Sequence, residues 1–592
     1  MKKQSRLSSL IILSALFVST LFWRAGEGEV LAQTSILSTN PVAHDILLGN
    51  YTPSAYFPST VINQHSPIVQ GISNEINSDS LKSYMIQLAA FHNRSTGADT
   101  SSNSIGIGAA RRWARDKFSE FSVINQNRLI PSFLQFDQQI CNVYQHRNIF
   151  AVLPGMQNTD KSCVIIEAHI DSRCEVDCDS LCQAQGMEDN ATGCALVLEL
   201  ARVMSKYAFN NTIVFLLTIG EEQGLMGAEA FALYCEQNSI TVKCVQNNDV
   251  IGGIICGATS SPPSCPGVDQ IDSTHVRIFS YGSYTSPHKA FARFSKLEYL
   301  DEAFQFANVP MAISVMTPED RTGRGGDHIP FRSHNFTAIR FTAANEHGNA
   351  NVADINYTDR QHSFRDILGV DTDANGSIDS FYVDFNYLKR NTIINGTAAA
   401  MAAIGPMMPA FTFTNDSSGI KITVSAQTQY AKYAVHVRRI ASNYDLDLLY
   451  YFTGTLTYDI PGIKKDSTYY VSIASVDTSD VESLFSIEQK IKANGDGPLI
   501  ISETTYNGKF QLEIVPNPSR GITSVRLLSS FPCPVQVQLI DILGREVMHK
   551  SALLSYGENE IPFEVIAPPG VYNLNVYSQN KFVTSKRMVV IK

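Results

Sequence analysis

Residues 163–172 read Cys-Val-Ile-Ile-Glu-Ala-His-Ile-Asp-Ser. The run 163–166 is short, apolar and rich in β-branched side chains, and it gives way to Glu167-Ala168-His169. Such a run predicts a strand buried on both faces, with polar groups at its C-terminal end. Downstream, 194–204 carries apolar residues at helical spacing, 213–219 is a second fully apolar strand, and 226–234 reads as another helix. Upstream, 81–91 and 109–121 are also helical in period, with Trp113 and Phe118 on similar faces. This alternation predicts an α/β fold with a mainly parallel central sheet and helices on both faces. In open sheets of this kind ligands bind beyond the C-terminal strand ends, where His169 and Asp171 stand.

Four more motifs follow along the same domain. Gly186-Met187-Glu188-Asp189-Asn190-Ala191-Thr192-Gly193 is a polar loop opening into an apolar helix, and helix capping by Asp189 or Asn190 is its simpler reading. Gly220-Glu221-Glu222-Gln223-Gly224 lies directly after the second strand. Adjacent carboxylates there repel each other unless cations hold them, and a solvated helix start is the alternative. Asn247-Asn248-Asp249-Val250-Ile251-Gly252 and Gly325-Gly326-Asp327-His328-Ile329-Pro330-Phe331 each read singly as loops. Jointly the motifs supply His169, Asp189, Glu222, Asp249 and His328, with Glu221 to spare. Two imidazoles and three carboxylates suit two Zn²⁺ ions, one carboxylate bridging, with positions open for water. Asp171 is placed to orient the His169 ring.

The order of these motifs resembles the di-zinc aminopeptidase family, whose superfamily also holds glutamate carboxypeptidase and glutaminyl cyclase. The likeness covers residues 75–405, beginning near Arg94-Ser95-Thr96-Gly97. It implies that Asp189 bridges two zincs, that His169 and Asp249 complete one site, and that Glu222 and His328 complete the other. Asp269 and Asp272 lie near enough in sequence to compete with Asp249. The implied activity is a secreted metallo-exopeptidase that hydrolyses the N-terminal peptide bond of peptides through a zinc-bound hydroxide. Glu221 would be the general base that later passes the proton to the leaving amine. The alternatives are a glutaminyl cyclase or carboxypeptidase of the same fold, or a non-catalytic surface binding protein. The last predicts damaged ligands or a missing Glu221, and neither is seen.

Two weaker signals stand further on. Gln361-His362-Ser363-Phe364-Arg365-Asp366 resembles the family's late His-Thr-Pro-x-Asp segment, which makes His362 a candidate pocket residue or, equally, a plain surface histidine. The stretch from Asp371 to Asp379 has the oxygen-ligand spacing of a Ca²⁺ loop, but Tyr382 stands where a bidentate carboxylate belongs. An acidic turn without metal is the favoured reading of the two.

Composition sets the remaining bounds. Of 592 residues, 46 are Lys or Arg and 56 Asp or Glu, a net charge of −10 that argues against nucleic acid as a partner. Hydrophobic residues at 44% and charged ones at 17% exclude disorder as the main state. Lys2, Lys3 and Arg6 precede a largely apolar stretch, and Val30 and Ala32 fit a cleavage pattern before Gln33. Residues 1–32 therefore read as a signal peptide, with an N-terminal anchor as the alternative. No later run of ~20 apolar residues predicts a stable membrane span. All of the 11 cysteines except Cys533 fall between Cys141 and Cys265. In an exported chain that favours disulfides, up to five, over a thiolate metal site at Cys174, Cys178 and Cys182, and leaves Cys533 over, buried and inert.

After the peptidase-like domain, 33–405, the patterning turns all-β. Two sandwich domains are expected, 408–494 and 499–592, joined by Asn494-Gly495-Asp496-Gly497-Pro498. The first resembles a fibronectin type III domain through Ser467-Thr468-Tyr469-Tyr470-Val471-Ser472-Ile473 and reads as a spacer. The second resembles the C-terminal sorting domain of type IX secretion through Val515-Pro516-Asn517-Pro518, Asp541-Ile542-Leu543-Gly544-Arg545-Glu546 and the ending Val589-Val590-Ile591-Lys592. That likeness implies the secretion machinery as a partner, and a protein released or attached to the cell surface outside the outer membrane.

Overall fold

The computed structural model describes residues 33–255, 270–321, 324–344, 360–425, 430, 432–439, 448–498, 511–529, 533–541, 545–554, 557–578 and 581–591. The expected signal peptide, Asp269, Cys256 and Cys265 lie outside the described residues.

The first unit is built on a nine-stranded sheet of β1 (Thr34–Ser38), β2 (Ile130–Ile140), β3 (Val143–Leu153), β4 (Cys163–His169), β5 (Thr212–Thr218), β6 (Val242–Asn248), β7 (His275–Ser280), β8 (Ala312–Val315) and β9 (Ala338–Ala343). Their order is β1-β2-β3-β5-β4-β6-β9-β7-β8. The centre, β5-β4-β6-β9, is parallel, as is the β7-β8 pair. The β1-β2-β3-β5 flank and the β7-β9 pair are antiparallel, so the sheet is mixed, with its parallel part at the strands read from the sequence. Every residue of β4 and β5 is buried, as their unbroken apolar runs require.

Nine α-helices accompany the sheet among the described residues: α1 (Pro41–Leu47), α2 (His65–Glu75), α3 (Ser78–Ala90), α4 (Gly106–Ile124), α5 (Thr192–Met204), α6 (Met226–Gln237), α7 (Pro287–Glu298), α8 (His328–Ser333) and α9 (Phe385–Ile404). β5 and β6 flank β4 on opposite sides, so right-handed crossovers put α5 and α6 on opposite faces. In agreement, α5 packs with α2, α3, α4 and α9, while α6 packs with α8. The strand order reverses at β4, which opens a crevice beyond its C-terminal end. A two-stranded ribbon, β10 (Gly369–Val370) with β11 (Ser380–Phe381), carries the acidic turn.

Two all-β units follow. The first has sheets β12-β13-β16 and β15-β14-β17-β18, formed by β12 (Phe411–Asp416), β13 (Gly419–Val424), β14 (Lys432–Arg439), β15 (Leu448–Thr453), β16 (Thr457–Asp459), β17 (Thr468–Val476) and β18 (Gln489–Lys492). The second has sheets β19-β20-β23 and β22-β21-β24-β25, formed by β19 (Gln511–Val515), β20 (Ile522–Ser529), β21 (Cys533–Ile540), β22 (Glu546–Leu554), β23 (Gly557–Glu564), β24 (Gly570–Ser578) and β25 (Lys581–Val590). It has a hydrophobic core of its own.

The first sandwich is not a free spacer. Val435, Val437, Val471 and Ile473 face its own core, whereas Ala434, Ala474, Val476, Val481 and Phe485 belong to the core of the first unit. The β14–β17 sheet is thus buried on both faces, which is why β17 shows no alternation of exposure. Phe485 meets Phe294 of α7 edge-on, with ring centroids 5.3 Å apart. Beneath them, the Glu488 carboxylate accepts Arg438 in two bonds of 2.8 and 2.7 Å and lies 3.0 Å from Arg293 of α7. Glu488 and Arg293 are each 1% exposed. Removing one member of a buried ion cluster leaves charge behind. Glu488→Ala should therefore lower the unfolding free energy by about 3–5 kcal/mol, read from the denaturant midpoint of the full chain. An unchanged midpoint would show that the two units are not energetically joined there.

Candidate metal centre

Three adjacent strand ends each deliver acid or base groups. His169 is the last residue of β4, Glu221 and Glu222 follow β5, and Asp249 follows β6 directly. Asp189 comes from the loop before α5, where the two polar residues divide the work. Asn190 Oδ1 accepts the backbone N–H of Gly193 at 3.0 Å and so starts the helix, which leaves the Asp189 carboxylate to face His169. A Cβ on Gly193 would stand 2.3 Å from the Asn248 carbonyl oxygen, so only glycine lets α5 begin this close to the end of β6.

A frame of hydrogen bonds fixes the loops. The buried Arg94 guanidinium donates to the carbonyls of Ile170 at 2.9 Å and Gly186 at 3.0 Å, bracing the segments before Asp171 and Asp189 together. The Asp171 carboxylate accepts the backbone N–H groups of Glu221 and Glu222, both at 3.3 Å, and the Thr96 hydroxyl at 3.2 Å. His169 Nδ1 lies 3.1 Å from the Asp171 carbonyl and 3.5 Å from its carboxylate. Asp171 thus holds both the imidazole and the Glu221–Glu222 turn. Asp366 accepts the backbone N–H groups of Glu188 and Asp189, at 2.9 and 3.0 Å.

The side chains converge. His169 Nε2 is 3.1 Å from Asp189 Oδ1 and 3.3 Å from Asp249 Oδ1. His362 Nε2 is 3.2 Å from both Asp189 Oδ2 and Glu222 Oε2. Ligand atoms of His169, Glu221 and Asp249 lie within 4.8 Å of one another, as do those of His169, Asp189 and Glu222. Glu222 Oε1 is buried without a hydrogen-bond partner. The Glu221 carboxylate forms no ion pair or hydrogen bond among the described residues.

Burial and crowding set the charges. Burial raises Glu221, with Asp249, Asp327 and Asp189 adding to the shift against the pull of His169. Burial also raises Glu222, helped by the charges of Asp189 and Glu221. Burial works against a charged His169, yet Glu221, Asp171, Asp189 and Asp249 outweigh it and hold the imidazole well above its usual value. Asp189 is held well below the carboxylate range because His169 and His362 overcome its burial. A site with too many carboxylates for its own protons, and one orphaned buried oxygen, fits a divalent cation.

The structure corrects one expected ligand. His328, at the start of α8, does not reach the cluster; its Nε2 faces the Glu319 carbonyl at 3.3 Å and stands 4.0 Å from Asp320. Burial pushes its pKa down to about 4, which keeps it neutral. The place expected for it beside Asp189 and Glu222 is taken by His362. The Asp-His motif serves one layer further back. Asp327 and Glu167 share the Thr218 hydroxyl behind the strand ends. Asp320 binds the buried Arg340 of β9 at 2.7 and 2.9 Å, and Arg340 donates to Asp249 Oδ2 at 2.9 Å. Arg340 is not visible as a site residue in the sequence, because a lone buried charge on a strand has no pattern to betray it, whereas Asp366 closes the segment that resembles the family's His-Thr-Pro-x-Asp run. Asp272 does not compete with Asp249; it pairs with His275 at 2.9 Å.

The remaining candidates resolve as follows. Cys141–Cys178 and Cys174–Cys182 are disulfides, so the closely spaced cysteines are not thiolate ligands. Cys163, Cys194, Cys235 and Cys244 are buried free thiols, which leaves fewer bridges than the sequence count allowed. Asp371, Asp373 and Asp379 converge on an exposed turn. There Asp371 accepts the backbone N–H groups of Asn375 and Gly376, and Asp379 accepts that of Thr372.

Residues 148–257, which span β4, β5, β6 and the loops between them, match the model of peptidase family M28. This stretch is therefore similar to peptidase family M28. A relative in Phaeosphaeria nodorum, named "Probable zinc metalloprotease", is 30% identical over 304 residues, 47% of this chain and 60% of that protein. A relative of the same description in Leptosphaeria maculans is 29% identical over 390 residues, 62% of this chain and 85% of that protein. The crystal structure of the Legionella pneumophila LapA aminopeptidase is similar at 17% identity and a TM-score of 0.41, covering 58% of this chain and 77% of that one. Zinc is the metal that the family and these relatives imply. Residues 513–592 match the secretion system C-terminal sorting domain, which directs the chain by type IX secretion to the outside or to the outer-membrane surface. Among the described residues no helix is long and apolar enough to cross a membrane.

The placement of the two histidines can be tested by metal content. His362→Ala should lower the zinc retained after gel filtration, measured by elemental analysis, while His328→Ala should leave the stoichiometry of the wild type. The reverse pattern would return His328 to the ligand set.

Proposed function

We propose that the chain is a secreted di-zinc aminopeptidase that hydrolyses the N-terminal peptide bond of peptides. His169 and Asp249 would hold one ion, Glu222 and His362 the other, with Asp189 between them. The observation that carries the reading is Glu221. It is a half-buried carboxylate against the ligand cluster that is itself without a hydrogen-bond or ion-pair partner among the described residues. A carboxylate placed beside the cluster and held by no other partner suits a group that must both accept and return a proton.

Bound zinc lowers the pKa of water toward neutrality and polarises a carbonyl oxygen beside it. Glu221 takes the proton of the attacking water and delivers it to the departing amine, so one residue serves as base and then as acid. Asp171 keeps Glu221 in place through the backbone bonds it accepts, and it keeps the His169 ring turned toward the cluster. Arg340, through Asp249 Oδ2, fixes which carboxylate oxygen points inward. A non-catalytic binding protein on this scaffold has no use for an intact cluster with an uncommitted carboxylate.

Glu221→Gln should keep its zinc and its fold while kcat drops by about 10²–10⁴-fold, the usual contribution of general base catalysis. Full turnover in that variant would remove Glu221 from the mechanism. The reaction itself is read by incubating the protein with peptides bearing free, acetylated and Gln N-termini and following masses over time. Stepwise loss of N-terminal residues from free but not acetylated peptides is the expected result. Ammonia loss from the Gln peptides alone would mean a cyclase, and trimming from the other end a carboxypeptidase.

A further inference from the structure

Residues 172–183 form a strap along one rim of the cluster. Cys141–Cys178 pins it to the tip of the β2–β3 hairpin, and Cys174–Cys182 closes it on itself. The Asn93 amide donates to the carbonyls of Asp179 at 3.0 Å and Cys182 at 2.9 Å. Two more bonds tie the strap to the chain segments that bear the cluster. Gln223, next to Glu222, donates to Asp177 Oδ1 at 3.1 Å, and the backbone N–H of Phe364, two residues after His362, donates to Glu175 Oε2 at 3.4 Å.

This braced rim presents apolar side chains to water. Val176 is 65% exposed, Leu181 is 88% exposed, and Phe364, on the segment joined to the strap, is 57% exposed. A single exposed apolar residue is ordinary on a protein surface, but a group of them beside a cleft marks a contact surface. The disulfides and side-chain bonds have already ordered the loop, so a ligand docking on it meets little further cost of immobilisation. When a peptide gives up its first residue, that residue must enter the cluster with the scissile bond. The part of the substrate left to cross the rim is the leaving portion.

We propose that Val176, Leu181 and Phe364 form an apolar lip that holds the substrate residues downstream of the cleaved bond. The preferred substrates are then peptides with large apolar side chains at the second and third positions. This inference rests on the peptidase reading given above.

The test compares Leu-Phe-Phe with Leu-Gly-Gly, using the full zinc-loaded chain and the triple variant Val176→Ser, Leu181→Ser, Phe364→Ser. The wild type should cleave the first leucine of Leu-Phe-Phe with a kcat/KM at least about tenfold above that of Leu-Gly-Gly, mostly through KM, the scale of one apolar side chain partly buried. The triple variant should bring the two within about twofold, by loss of the Leu-Phe-Phe advantage in KM. Equal kcat/KM for both peptides in the wild type, or an undiminished preference in the variant, would overturn the lip while leaving the aminopeptidase intact. Failure of the wild type to release leucine from either peptide would overturn the peptidase reading and the lip with it.

Discussion

Four carboxylates, those of Asp189, Glu221, Glu222 and Asp249, are packed against one buried imidazole at the ends of three neighbouring strands. Each is there at a cost, because burial disfavours charge and the groups repel one another. The protein meets that cost with a rigid surround. Arg94 braces two loops by their carbonyls, Asp171 clamps the backbone of the Glu221–Glu222 turn, Asp366 holds that of Glu188 and Asp189, and Arg340 takes one oxygen of Asp249. None of these contacts points into the cluster. They keep like charges close enough to share a cation, and the parallel centre of the sheet exists in a form that makes such closeness possible.

What is legible in the sequence follows from this division. The ends of β4 and β5 can be read because a fully apolar run that stops abruptly at His, Glu or Asp marks a buried strand opening onto a polar crevice. Asp249 enters only through the family resemblance, because its motif reads as a loop; the strand β6 that it follows and the pairing of Asp272 with His275 come from the structure. His328 is misplaced by its motif, which belongs to the right region of the chain while its side chain belongs to the layer behind. A spacing argument identifies neighbours in sequence and cannot distinguish a group that faces the crevice from one that faces its supports. His362 lies in an irregular segment with a positive φ of 55°, where no periodicity announces which way a side chain turns.

The same limit applies to the first sandwich. Its all-β character follows from alternation and turn residues. Its role as a spacer does not hold, because the β14–β17 sheet buries its second face against α7, and a sheet covered on both sides looks in sequence much like one covered on one side with small residues. Ala434, Ser472 and Ala474 are such small residues, and they are what allows the close approach.

That shared core has a bearing on what leaves the cell. The sorting unit keeps its own hydrophobic interior and is joined through residues 499–510, whereas no comparable seam separates the catalytic unit from the first sandwich. The packing at α7 involves residues of the first sandwich and none of the sorting unit. A cut before β12 would strip the covering from Phe294 and leave Arg293 facing water. The peptidase-like unit and the first sandwich therefore make one packed body, and the smallest fragment worth expressing for crystallisation or screening runs from the start of β1 to the end of the Asn494–Pro498 segment.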